Sequence, residues 1–134
     1  MITLTIETRA HTELRDITGE VAGALHQSGV LNGVCHIFVP HTSAAITLNE
    51  NWDPSVRTDI LNVLDQLVPA SGRYRHAEGN APAHIKASLM GSSQTVLVEG
   101  GRLVFGSWQG IFLTEFDGPR RRRVLVKVLP DAAS

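Results

Sequence analysis

The sequence predicts an α+β fold, a mainly antiparallel β-sandwich of about seven short strands with two or three inserted helices. Three observations carry that prediction. At the N-terminus Ile2, Leu4 and Ile6 alternate with Thr3, Thr5 and Glu7, the period of two that marks a half-buried strand. In the last third, four apolar segments at residues 94–98, 102–105, 111–116 and 124–129 are separated by Glu99-Gly100-Gly101, by residues 106–110 and by Asp117-Gly118-Pro119, which are turn signals. Helical patterning is confined to the first two-thirds.

The elements follow in order. After the first strand, Thr18 reads as an N-cap for a short helix with Val21, Ala24 and Leu25 on one face and Gly29 as its left-handed closing residue. Residues 33–40 are β-branched and apolar and stop at Pro40, so they predict a strand, with His36 on the face of Val34 and Phe38. Residues 43–50 predict another, joined by a link short enough for the two to pair or to continue around a bend. Asp53 before Pro54 is the strongest helix start: a carboxylate to cap the free amides and a proline at the first helical position. Val56, Ile60, Val63, Leu64 and Leu67 form its predicted stripe, and Pro69 ends it. Residues 70–81 are a long polar loop, a length that itself suggests function. A second short helix is predicted from Pro82 to Met90, stopped by Gly91.

Composition bounds the function classes. The 134 residues are 43% hydrophobic and 19% charged, the balance of one globular domain over residues 1–134. A chain of this size buries roughly 70% of its unfolded surface, so it needs no metal or disulfide merely to fold. A net charge of −1 gives no electrostatic reason for a nucleic-acid partner. The arginine run 120–123 enters a strand, where alternate side chains point to opposite faces, and reads as a solvated strand end or subunit contact. Cys35, alone in an apolar stretch, reads as a small buried hydrophobe. No apolar run approaches the ~20 residues of a membrane span and the N-terminus has no signal-peptide pattern, so a cytoplasmic protein without membrane contact is expected.

Four constellations carry the candidate chemistry. His41, His76 and His84, with Glu78 close to two of them, offer the three ligands that a catalytic ion such as zinc takes while leaving a position open; as single residues, His76 also reads as an exposed loop residue and His41 as a turn residue. In HTSAAITLNENWDP, residues 41–54, Thr42 and Ser43 supply hydroxyls, while Asn49, Glu50, Asn51 and Asp53 crowd against a helix N-terminus that attracts anions. Asp53 is accounted for as a cap; Asn49 and Glu50 have no local structural task. Lys86, Ser88, Ser92 and Ser93 with Gly79 and Gly91 are groups able to hold a phosphate, or simply a solvated helix face. In GSWQGIF, residues 106–112, Trp108 offers a flat face and Gln109 a two-way hydrogen-bonding amide.

HTSAAITLNEN, the helix start at Asp53-Pro54 with VRTDIL, EGNAPAHIKASLMGSS and GSWQGIFLTEFDGP together resemble the YjbQ-like family, described as secondary thiamine-phosphate synthase enzymes. The likeness covers nearly the whole chain in the right order; one departure is the short loop AEGNAP, where family members often carry a longer, more acidic one. The resemblance implies a homotrimer with a site near its subunit contacts. It implies joining of a pyrimidine diphosphate to a thiazole phosphate with loss of pyrophosphate; metal-assisted hydrolysis of a phosphate ester and a trimeric, non-enzymatic module binding an anionic metabolite are the alternatives. Carried over by motif, the expected catalytic groups are His41, Glu50, Asp53, His84 and Lys86. Thr42, Ser43, Asn49, Asn51, Gly79, Asn80, Ser88, Trp108 and Gln109 are expected to bind a small phosphorylated substrate, and His41, His76 and His84 a divalent metal, zinc or magnesium.

Overall fold

A computed structural model describes residues 1–76 and 78–133; Ala77 of the predicted loop and the terminal Ser134 lie outside the described residues. Eight strands and three helices follow in the order β1 (Ile2–Glu7), β2 (Glu13–Asp16), α1 (Thr18–Ser28), β3 (Gly33–Phe38), β4 (Ala44–Glu50), α2 (Pro54–Leu67), α3 (Ala81–Met90), β5 (Ser93–Glu99), β6 (Arg102–Leu103), β7 (Gln109–Glu115) and β8 (Arg121–Pro130). The strands form two sheets, one ordered β1-β8-β3-β5-β6 and the other β2-β7-β4, with antiparallel pairing throughout. The α+β sandwich is therefore as predicted, with β2 added. Its sequence Glu-Leu-Arg-Asp buries only Leu14, too little alternation to read as a strand.

Alternation builds the layers. Ile6, Cys35, Ile37, Val96, Val98, Val124 and Val126 of the larger sheet meet Ala44, Ile46, Ile111 and Leu113 of the smaller one, closed at one end by Ile17, Val21, Ala24 and Leu25 of the α1 segment. The other face of the smaller sheet packs Ala45 and Phe116 against Leu64 of α2 and Ala83 and Ala87 of α3. The Arg57 guanidinium from α2 lies 5.0 Å over the Phe112 ring, a stacking arrangement that serves both groups. Burial pushes the Cys35 thiol up to about 11, so it is an inert core residue, as its sequence context predicts.

Helix ends behave largely as read. Asp53 caps α2 by accepting the Ser55 amide at 2.9 Å, which holds its carboxyl below the usual range, and Gly29 closes α1 at φ +71. Two local readings change. The α1 cap is Ile17 rather than Thr18, because the Thr18 hydroxyl donates to Asp16 Oδ1 at 2.6 Å and accepts the Ile111 amide at 2.9 Å. The α2 stripe is shifted: Leu64 is buried with Ile60 and Leu61 beside it, while Val63 and Leu67 face outward.

The site is positioned by two chain crossings. β3 lies in the larger sheet and β4 in the smaller, so residues 39–43 pass between sheets rather than forming a hairpin. Residues 116–120 make the reverse passage from β7 to β8. The start of α3 lies against both crossings, through the His84 ring on the Thr42 carbonyl and the Asn80 amide on Asp117.

Candidate functional site

A buried ion pair fixes the crossings. Glu115 and Arg122 point into the gap between the sheets, at 0% and 4% exposure. The Arg122 guanidinium donates to both Glu115 carboxylate oxygens and, through Nη2, to the Ser43 hydroxyl at 2.9 Å and carbonyl at 3.2 Å. Glu115 also accepts the Thr8 hydroxyl at 2.6 Å and the amides of Phe116 and Asp117 at 3.1 and 3.0 Å. Burial works to raise the Glu115 carboxyl, but the hydrogen bonds from Arg122, Thr8 and the Asp117 amide, with the Arg122 charge, outweigh it and hold the group below its usual range. Ser43, expected to bind substrate, is instead buried in this network.

Against this base stand the histidines. His84 Nδ1 lies 3.0 Å from the Thr42 carbonyl, and the His76 ring meets the His84 ring edge-on with centroids 5.0 Å apart. Glu78 Oε2 is 3.8 Å from His76 Nε2. His41 Nε2 accepts the Arg123 backbone amide at 2.9 Å. Burial and then the charges of Arg122 and Arg123 lower the His41 imidazole from its usual value, which keeps the ring neutral as that acceptor role requires. His41, Thr42 and His84 line two adjoining cavities, one of about 450 Å³ that includes Ser88 and one of about 350 Å³ that includes Glu78, Asn80, Arg120 and Arg122.

The expected tri-histidine ion does not fit this arrangement. Among the described residues no group of three His, Cys, Asp or Glu side chains is placed to hold a metal. The physical reason lies at His41, whose Nε2 lone pair is spent on Arg123, so that its remaining nitrogen carries a proton.

The remaining expected residues divide into three places. Lys86 leaves the site: its ammonium pairs with Asp65 on the buried side of α3, 5.9 Å from the Phe116 ring centre, in a separate cavity that Gly79 also lines. It is neither a phosphate ligand of the histidine cleft nor part of a solvated face. Ser88 stays, donating to the His84 carbonyl at 2.9 Å, and Asn80 donates to Asp117 Oδ2 at 2.9 Å, helping with Arg120 to hold that carboxyl low against the opposing effect of burial.

Glu50, Asp53, Asn49, Asn51, Trp108 and Gln109 lie at the far end of β4. Ala44–Glu50 is one strand, and at about 3.3 Å per residue it carries them roughly 20 Å from His41. Asp53 is a solvent-exposed helix cap, not a catalytic acid. Asn49 Oδ1 accepts the Glu50 amide at 2.7 Å, and Asn51 bonds the Trp108 carbonyl through its own amide at 2.8 Å. Gln109 Oε1 accepts the Gly106 amide at 3.0 Å. Trp108 has φ +65, a conformation that costs a bulky residue about 1–3 kcal/mol. The residues expected to form a single site thus lie at two separate places on the chain.

Glu115, Arg122, Thr8 and Asp117 are the residues that sequence reasoning missed. Arg122 had a signal: in a strand it faces opposite to Arg121 and Arg123, and a buried arginine calls for a buried carboxylate.

The chain matches the family model described as UPF0047 protein YjbQ-like over residues 2–131. It is 51% identical to UPF0047 protein MJ1081 of Methanocaldococcus jannaschii, covering 94% of this chain and 91% of that one. It is 48% identical to UPF0047 protein YugU of Bacillus subtilis, covering 95% and 97%. Among solved structures, an uncharacterized conserved protein of the yjbq/upf0047 family from Clostridium acetobutylicum superposes with a TM-score of 0.95 at 52% identity, covering 96% and 100%. A protein of Sulfolobus solfataricus described as YbjQ-like and of unknown function gives 0.93 at 38% identity, covering 97% and 96%. These names correct the expected thiamine-phosphate synthase activity: they carry a family designation and no reaction, and neither the synthase nor the two alternatives weighed beside it comes to this chain from them. What the match over residues 2–131 and identities near one half do establish is kinship, and the chain belongs to the UPF0047 YjbQ-like family.

Proposed function

We propose that the chain is an enzyme that moves a proton on a small phosphorylated metabolite, with His84 as its general base. One observation carries this reading: the His84 Nδ1 contact to the Thr42 carbonyl at 3.0 Å. A carbonyl only accepts, so Nδ1 holds a ring proton, and in the neutral imidazole it is Nε2 that carries the lone pair able to abstract a proton. His41, with its Nε2 engaged, presents a donor instead. Arg120, half-exposed in the cavity wall beside Asp117, favours an anionic substrate.

Carbethoxylation with diethylpyrocarbonate, followed by peptide mapping, reads the free lone pair directly. His84 is expected to react faster than His41, and inorganic phosphate to protect His84. In phosphate titrations the Arg120→Ala variant is expected to bind about tenfold more weakly, the effect of losing roughly 1.4 kcal/mol, and EDTA to change nothing. Equal reactivity of His41 and His84 overturns the base assignment; loss of phosphate binding on chelation would return a metal to the cleft.

The homotrimer is supported by the outer face of the larger sheet. Val34 sits directly opposite Leu97 on one neighbour and Leu129 on the other, with Leu97 60% exposed, so an apolar row crosses three strands uncovered. Leu97→Asp leaves the core between the sheets untouched and is expected to shift the mass measured by light scattering from three chains to one. A trimer that survives the substitution excludes this face.

A further inference from the structure

The far end of β4 carries a second constellation that the histidine cleft does not use. Trp52 and Trp108 are 73% and 57% exposed, yet their rings touch, with centroids 5.3 Å apart and planes tilted by 51°. Ordinary folding buries such side chains; here the loop spends its hydrogen bonds on holding one of them out. The Trp108 carbonyl accepts the Asn51 amide at 2.8 Å, the Gln109 amide donates to the Gly106 carbonyl at 3.2 Å, and the Gln109 side-chain oxygen accepts the Gly106 amide. This bracket keeps Trp108 in its left-handed conformation, the one non-glycine among the described residues to adopt it. Strain maintained by surrounding bonds is a mark of a functional position.

Beside Trp108 opens a cleft of about 370 Å³, walled by Leu48, Asn49, Glu50, Ser107, Trp108 and Gln109, within the size range of small-molecule sites; Trp52 stands at its rim through its contact with Trp108. Glu50 is half-buried in its wall, and its carboxylate makes no hydrogen bond or ion pair among the described residues. The surrounding charge is of the same sign. Asp16 bonds Asn51 Nδ2 at 3.3 Å and Asp53 stands two residues beyond Asn51. The nearby cation, Arg57, is turned inward over Phe112, with one nitrogen on the Asn51 carbonyl at 3.0 Å. Exposed indole faces attract positive charge, and an unsatisfied carboxylate beside them attracts it again.

We propose that Trp52, Trp108 and Glu50 form a binding site for a small organic cation, an alkylated ammonium with an apolar body that sits against the indoles. The site is separate from the phosphate-binding reading of the histidine cleft and does not depend on it. Asn49 and Gln109 supply polar edges that orient the cation's substituent.

Trp52 and Trp108 are the two tryptophans of the chain, so fluorescence excited selectively at tryptophan, which passes over Tyr74, reports on this site alone. Titration with choline is expected to give a saturable change, and its neutral isostere 3,3-dimethylbutan-1-ol to bind at least tenfold more weakly. Glu50→Gln, a wall residue outside the core, is expected to cut choline affinity about tenfold while leaving the isostere unchanged. Trp52→Ala is expected to weaken choline binding with Trp108 still reporting. Equal binding of choline and isostere overturns the proposal in favour of a plain apolar patch. The absence of any saturable change with choline overturns it outright.

Discussion

Glu115→Ala is expected to destabilise the protein by about 3–5 kcal/mol, the range for removing one partner of a buried pair. The substitution leaves the Arg122 guanidinium at 4% exposure without its carboxylate, and it also strips acceptors from the Thr8 hydroxyl and the Phe116 and Asp117 amides. For a chain of this length the loss corresponds to a fall in Tm of roughly 10–20 °C, measurable by circular dichroism. A Tm within 3–4 °C of the parent protein would show that the pair is not desolvated in solution. The same carboxylate gives the pH dependence. Its folded value is held below the usual 4.5, so in the window between the two values the unfolded chain binds a proton that the folded chain excludes. Stability from this group is therefore complete above about pH 4.5 and is lost as pH falls through the folded value. Urea midpoints taken between pH 6 and pH 3 are expected to fall more steeply for the parent protein than for Glu115→Gln, which has no carboxyl to protonate. Parallel slopes would assign the acid sensitivity elsewhere.

Gly33→Ala carries the second large expectation. Gly33 starts β3 between Val98 and Pro130, and a methyl group there would overlap the Leu129 carbonyl oxygen and stand 2.9 Å from Pro130 Cα. These are backbone atoms of a paired strand, so no side chain can rotate to make room. The cost is about 1–3 kcal/mol of forced overpacking, with a fall in Tm of several degrees. Gly23→Ala is the matched control: nothing lies within 4 Å of its added carbon, and a helix interior favours alanine by up to about 1 kcal/mol, so it is expected to be neutral or stabilising. If both substitutions behave alike, the end of β8 is free to move away from β3.

The strands and caps were legible because their signals are local. Alternation at Ile2, Leu4 and Ile6, the Asp53-Pro54 start and Gly29 each depend on a handful of adjacent residues. The α2 stripe misled because Val63 and Leu67 fit a helical period yet lie to one side of the packed face, a choice made by where Ala45 and Phe116 sit. The histidine neighbourhood was legible from the motifs, but its division was not. Residues 41–54 read as one polar constellation, and only the extension of β4 puts Glu50 and Trp108 far from His41. Lys86 was illegible for a related reason: Ala83 and Ala87, small residues on the same face of α3, give room for its long side chain to be buried beside Phe116.

The arginine run has a consequence for the accuracy of folding. In β8 the outward arginines Arg121 and Arg123 face solvent, with Arg121 on Glu7 at 3.0 Å, while Arg122 reaches Glu115 across the gap between sheets. A slip of β8 by one position against β1 and β3 would turn Arg121 and Arg123 inward with a single carboxylate to meet them, and would turn Val124 and Val126 out to water. Four consecutive arginines, which look interchangeable as letters, thus act as a key with one fitting tooth, rejecting every odd-numbered misalignment of the longest strand in the fold.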